Sequence, residues 1–338
     1  MQLTLTSATS AALPFTAGFT FRQGDIPSGQ GVVVSGATAQ ATIKSTWPDG
    51  SARIAIVAGT YTSAGSPVTL TMSAGTASTG TVLTTSDLDT ALAGNNVVVD
   101  AGGLGLASWS AGADWATPFA TWVSGHRMSS WIYRKPVGSD THLVAWLEVR
   151  LYAGGAVEIL PWIENGYLNV ASPTNKSATY TFSMGGTTRF SGVIDLKHHQ
   201  RTPLISGTGL SHWLGTDPGV TMRHDVAYLM STEMVPTYRA LTPAGASVVS
   251  SVCPTTFAPL QQGGYTYQSD SMSSGGAAGP IGLLPTHDVL YLTCAAADAA
   301  RVYKAVVFNG YSAGRYRHHY RDETTNRPPL TSAYPTLW

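Results

Sequence analysis

Charge is the scarcest property of this sequence. Asp, Glu, Lys and Arg make up 11% of its 338 residues, against roughly 25% in ordinary soluble domains. The 19 basic residues are matched by 19 acidic ones, so there is no net field to steer a polyanion, and nucleic-acid binding is not expected. No basic amphipathic stretch is present, which argues against adsorption to an anionic membrane. No run of about 18 apolar residues occurs, so no spanning helix is expected. The start, MQLTLTSATSAALPFTAGFTF, has neither a basic n-region nor a continuous apolar core and does not read as a signal peptide.

Cysteine is nearly absent as well. Cys253 and Cys294 are the only two, with no Cys-x-x-Cys spacing. Thiolates alone therefore cannot build a zinc site, and two reduced, buried thiols are expected in a reducing compartment. No cofactor and no metal are expected.

What the chain does have is 43% hydrophobic residues, and Gly, Ser, Thr and Ala where charges would otherwise stand. The length exceeds one core and suits two β-rich units. Short strands are read at Gly31–Val34, Ser51–Val57, Val68–Met72 and Val97–Val99, with a turn at Trp47-Pro48-Asp49-Gly50 between the first two. Thr85–Ala93 reads as a short helix with Ser86 as N-cap and Gly94 past its end.

The clearest signal lies in the middle. His142–Tyr152 alternates strictly, with Leu143, Ala145, Leu147, Val149 and Leu151 on one face. Val157, Ile159, Pro161 and Ile163 share a face of the next strand. A three-residue turn at Ala153-Gly154-Gly155 aligns the two faces and sets Arg150 opposite Glu158 and Trp146 opposite Trp162. This predicts a long antiparallel hairpin in a sheet with one packed face. Further strands are read at Ala178–Met184, Arg189–Leu196, Ala227–Ser231, Val289–Cys294 and Tyr303–Phe308. Gln261–Pro280 reads as a long loop and Ala295–Ala300 as a small helix.

Three patterns bear on chemistry. Gly310-Tyr311-Ser312-Ala313-Gly314 fits a nucleophile elbow, but such an elbow needs a helix after the Ser and then an acid and a His, which the remaining residues do not supply. Histidines gather at His198-His199, at His212 with His224-Asp225, and at His318-His319. Neighbours on a strand point to opposite faces, so neither His-His pair can chelate one metal there. Finally, His199, Arg201, Arg223, His224 and Tyr228, with Arg239, hold the residue types that β-elimination on a uronate requires. A cation would neutralise the carboxylate, and a Tyr or His would take the α-proton. Structural pairing of Arg223 or Arg321 with a nearby Asp is the plainer reading. The 9 Trp and 15 Tyr residues are read mainly as core, with stacking on sugar rings as the functional alternative.

Five stretches together look familiar: Phe21-Arg22-Gln23-Gly24-Asp25-Ile26-Pro27-Ser28-Gly29, Trp47-Pro48-Asp49-Gly50-Ser51-Ala52-Arg53, Leu151-Tyr152-Ala153-Gly154-Gly155, Met222-Arg223-His224-Asp225-Val226-Ala227-Tyr228-Leu229 and His319-Tyr320-Arg321-Asp322-Glu323-Thr324-Thr325-Asn326-Arg327-Pro328. In this order they resemble a family of large proteins encoded in phage and prophage tail regions, similar to the YetA-like and rhamnogalacturonan exolyase-like proteins. The resemblance runs over nearly the whole chain. It implies a mostly β fold: an N-terminal RIFT-type barrel (residues 1–122), an antiparallel β-sandwich-like domain with few short helices (123–310) and then a helical toroid. Residues 311–338, with four Arg, two His and three Pro, read from their own composition as an extended connector. Lyases of this architecture usually use the toroid in their cleft, and no catalytic residue is carried over here.

The resulting expectation is a virion structural protein of a phage tail tip or tail fibre, made in the host cytoplasm. Its partners would be other tail proteins in an oligomeric assembly, with host-surface polysaccharide as a further contact. The alternatives are a polysaccharide lyase, or its non-catalytic N-terminal part, and a plain carbohydrate-binding module.

Overall fold

The computed structural model describes residues 1–238, 245–261, 284–312 and 319–334. Strands take up 42% and helices 17%, so the protein is mostly β with few short helices, arranged as four antiparallel sheets. Among the described residues no sheet closes into a barrel.

In chain order the first strands are β1 (Gln2–Thr6), β2 (Ala12–Thr20), β3 (Gly31–Ser35), β4 (Thr38–Thr46), β5 (Ala52–Thr62) and β6 (Val68–Gly75). Then come α1 (Thr85–Leu92), β7 (Val97–Asp100), β8 (Leu106–Trp109), α2 (Ala113–Ala116), β9 (Ala120–Val123), β10 (Met128–Val137), β11 (Asp140–Tyr152) and β12 (Val157–Asn165). β13 (Lys176–Met184), β14 (Thr187–Leu196), β15 (Gln200–Pro203), β16 (His212–Leu214) and β17 (Thr221–His224) complete the strands. Helices α3 (Val226–Ser231), α4 (Ala246–Val252), α5 (Thr286–Thr293) and α6 (Ala299–Ser312) follow.

Two small sheets form the N-terminal body, in the orders β17-β1-β6-β3 and β2-β5-β4. Alternation builds it: Leu13, Phe15, Ala17 and Phe19 of β2 turn inward against Leu3 and Leu5 of β1 and Leu70 and Met72 of β6. Met222 of β17 joins the same core although it lies some two hundred residues away in sequence.

The middle of the chain forms two further sheets, of six and four strands, that share one core. One runs β15-β12-β11-β10-β9, with β16 also on β12; the other runs β14-β13-β7-β8. The pairing of β7 with β13 draws residues 97–109 of the expected N-terminal division into this pair of sheets. The predicted hairpin is present in register, with Arg150 opposite Glu158 and Trp146 opposite Trp162. Gly154 and Gly155 both take positive φ in its three-residue turn, which residues with a Cβ rarely adopt. Leu143, Ala145, Leu147, Val149 and Leu151 fill the core between the sheets. The expected single packed face is corrected: the opposite face of the hairpin is covered too, by the N-terminal body at the turn end and by the C-terminal segment at the other.

Helix α1 matches its reading, but Thr84 rather than Ser86 is the N-cap, in a capping box with Asp87. Three expected strands are helices. Ala227–Ser231 lies in α3, whose N-cap Asp225 accepts a hydrogen bond from the Tyr228 amide. Val289–Cys294 falls mainly in α5 and Tyr303–Phe308 in α6. Val302, Ala305 and Phe308 are fully buried, a helical spacing that local β-propensity obscured. α4, α5 and α6 share a small core with Cys253 and Cys294, which are free and buried. Burial pushes the Cys253 thiol up to about 11, so it stays protonated and unreactive at neutral pH. The loop read at Gln261–Pro280 lies, beyond Gln261, outside the described residues.

The final segment is more than a connector. Arg321 pairs as a parallel bridge with Tyr167, and its backbone bonds Gly166 and Leu168 at 2.8 and 3.0 Å. No helix of the described residues is long and apolar enough to cross a membrane.

Candidate functional site

The strand period that buries the odd positions of β11 sends Glu148, Arg150 and Tyr152 to the opposite face. There they meet Glu158 of β12 and form a closed polar network. Arg150 Nε donates to Glu148 at 2.7 Å and its Nη1 to Glu158 at 3.1 Å. Tyr152 donates to Glu158 at 2.9 Å, and Ser211 donates to the other oxygen of Glu158 at 2.7 Å. Ser130 donates to Glu148 at 3.2 Å. Thr16 of the N-terminal body reaches across to the Tyr152 oxygen at 2.9 Å. Burial opposes the charge of Arg150, but the flanking carboxylates outweigh it and hold its pKa well above the ordinary value. Burial first, and Glu158 second, push the Tyr152 phenol well up.

Above this network lies a cleft of about 540 Å³, walled by the N-terminal body, the hairpin and α6. Its aromatic lining comes from Phe15, Tyr152, Trp162, Trp213, Tyr291 and Tyr303. Trp213 stacks on Tyr152 with ring centroids 5.7 Å apart. His224 sits at one wall with both ring nitrogens engaged: Nε2 lies 2.8 Å from the Gly18 carbonyl and Nδ1 2.7 Å from the Tyr291 hydroxyl. This pattern fits Nε2–H donating and Nδ1 accepting. Burial lowers the His224 pKa, so the ring is neutral at pH 7, and burial raises Tyr291 to about 12.

The other end of the same face is sealed. Arg321 forms a bidentate ion pair with Glu164, their side chains 7% and 2% exposed, and stacks over Trp146 with its guanidinium carbon 4.1 Å from the ring centroid. His319 lies 3.3 Å from Glu164 and 3.0 Å from Arg321. Burial, opposed by Glu164 and aided by Arg201 and Arg321, lowers its pKa to about 4.

The sequence candidates are divided by this geometry. Arg201 and His224 both line the cleft. Arg223 points elsewhere, donating to the Cys294 carbonyl at 3.2 Å. Tyr228 donates to Asp25 at 2.9 Å and accepts from the Arg22 amide at 3.1 Å, a joint between α3 and the N-terminal body. His199 stands in the turn before β15, 4.7 Å from the Tyr320 ring between centroids. Arg239 and His318 lie outside the described residues. The five candidates therefore do not form one constellation. Arg321 pairs with Glu164 rather than with the expected nearby Asp.

His198 and His199 are in a turn rather than on a strand, with ring centroids 3.7 Å apart, which corrects the premise that their side chains diverge. Even so, among the described residues no three His, Cys, Asp or Glu side chains gather as a metal site would require. Gly310, Tyr311 and Ser312 end helix α6, so no strand leads into the elbow-like motif, and Ala313 and Gly314 lie outside the described residues.

Sequence reasoning missed Glu148, Glu158, Trp213 and Tyr303 as cleft residues. A signal for the first two was present: Glu148 and Arg150 stand on one face of a hairpin whose register sets Arg150 opposite Glu158. Nothing local in the sequence marks Trp213 or Tyr303, which arrive from β16 and α6. No protein-family model matches this chain, and no curated protein matches its sequence.

Proposed function

We propose that this chain is a structural part of a bacteriophage tail tip or tail fibre, acting in an assembly with other tail proteins and offering its cleft to host-surface glycan. The observation that carries this reading is the work done by the five stretches that resemble the tail-region family. Trp47 Nε1 donates to the Phe21 carbonyl at 3.0 Å, and the Gly24 amide donates to Ser51 at 3.0 Å, tying the first stretch to the second. Tyr228 ties the fourth stretch to Asp25 of the first. The third stretch is the hairpin turn, and the fifth seats Arg321 on Glu164. Four of the five stretches make such ties, which support a scaffold role. In this reading the two sheets in the middle of the chain correspond to the β-sandwich-like domain.

A second reading, a polysaccharide lyase, is favoured by the meeting of Arg201, His224 and several tyrosines in one cleft. It ranks lower because both His224 nitrogens are engaged and the Tyr152 and Tyr291 phenols are held protonated. Mass spectrometry of phage particles purified from the source strain tests the first reading: the protein should be present in stoichiometric amounts, and its absence overturns it. Appearance of ultraviolet-absorbing unsaturated product from uronate-containing glycans would establish the second reading instead.

A further inference from the structure

The cleft carries information about its ligand. Its volume of about 540 Å³ falls within the range of about 300–1,000 Å³ usual for small-molecule sites. Three cations line it, Arg150, Arg201 and Lys304, against three carboxylates, Glu148, Glu158 and Asp217. Arg150 is committed to Glu148 and Glu158, and Lys304 donates to the Thr208 carbonyl at 2.9 Å. Arg201 lies over the Trp162 ring, 5.8 Å from its centroid. With three cations against three carboxylates, the lining has no surplus positive charge with which to hold a carboxylate or phosphate. What it has instead are aromatic side chains, Trp213 and Tyr303, beside fixed carboxylates that accept hydrogen bonds. Flat apolar faces next to acceptors suit a ligand that carries C–H faces and hydroxyl donors on the same ring.

We propose that this cleft binds an uncharged saccharide chain. One pyranose ring lies against Trp213, and its hydroxyls meet Glu158 and the Tyr303 phenol. This deepens the glycan half of the proposed function and rests on it. It also separates the site from uronate chemistry, because a uronate would bring an uncompensated negative charge beside Glu148 and Glu158.

The test uses the full chain and titrates it with neutral oligosaccharides prepared from dextran, galactan and mannan, with oligogalacturonate as the anionic comparator. Tryptophan fluorescence and calorimetry read the binding. At least one neutral series should bind while oligogalacturonate binds more weakly. Trp213→Ala should weaken binding roughly tenfold or more, and Tyr303→Phe roughly threefold to tenfold, as loss of one stacking face and one hydrogen bond would. Tyr303→Phe carries the test alone if the larger substitution unfolds the protein. The proposal is overturned if no neutral series binds, if oligogalacturonate binds tightest, or if neither folded variant changes the affinity. These outcomes are independent of the virion inventory. A protein found in particles that ignores neutral sugars loses this inference only, and one that binds them but is missing from particles loses the tail assignment only.

Discussion

The two ends of one hairpin face were built from the same residue types and left in opposite conditions. At the strand ends near Glu164, the C-terminal segment lies over the sheet, and Arg321 occupies the space above Trp146 with its charge matched by a buried carboxylate. At the turn end, Glu148, Arg150 and Glu158 satisfy one another within the sheet, and the space above them is a cleft. A carboxylate whose partner comes from a distant segment serves to hold that segment down. Carboxylates already balanced by a neighbour on the next strand serve to shape a surface. The same chemistry is thus a clamp at one end and a floor at the other.

Removing the clamp is the harshest way to probe that contrast. Arg321→Ala leaves the Glu164 carboxylate, 2% exposed, without its main partner. Breaking such a buried pair from one side costs about 3–5 kcal/mol. Urea unfolding should show that loss together with early proteolysis near residue 321. A loss under about 1 kcal/mol, the scale of an exposed pair, would mean that the sealed end is no more structural than the open one.

Acid offers a milder probe of the same end. Above its ordinary value of 6.5 the His319 imidazole is neutral in the folded and unfolded chain alike, and it adds no pH dependence. Between 6.5 and about 4 the unfolded chain takes up a proton that the folded chain refuses, so stability falls as pH falls through this window. The loss from this one group is at most about 3 kcal/mol. His224 at the cleft is lowered too and adds to the same acid arm. His319→Asn should therefore flatten stability between pH 6.5 and 4 without abolishing the slope. An unchanged slope in urea titrations across that window would assign the acid sensitivity to the open end.

Part of this arrangement was legible in the sequence and part was not, for identifiable reasons. The hairpin register was legible because strict alternation and a three-residue glycine turn admit one alignment of apolar faces. Its second face was misjudged because alternation tells which residues share a face, not what later covers it; Arg321 and Thr16 come from opposite ends of the chain. Strand β2 alternates inward at Leu13, Phe15, Ala17 and Phe19, but the small residues and Pro14 among them blur the apolar period in the sequence. Helices α3, α5 and α6 were read as strands because short apolar runs have no clear period. Asp225 before Val226 was the cap signal that favoured the helix. The cleft was illegible because its walls come from β2, β12, β16 and α6, which only the tertiary fold brings together.

The smallest expected effect tests the open end directly. Tyr152 has one proton, which goes to the Glu158 carboxylate, so at 2.9 Å the Thr16 hydroxyl must be the donor to the Tyr152 oxygen. Thr16→Val keeps the β-branched shape that suits strand β2 and deletes only that donor. The Tyr152–Glu158 bond remains, and so do the contacts of Ser211 and Arg150 with Glu158. The loss should be about 0.5–1.5 kcal/mol, the net worth of one such hydrogen bond, with the affinity for a cleft ligand little changed. A floor that is self-sufficient tolerates losing one outside contact. If Thr16→Val instead destabilised the protein as severely as Arg321→Ala, the network beneath the cleft would itself be a clamp, and the difference between the two ends would vanish.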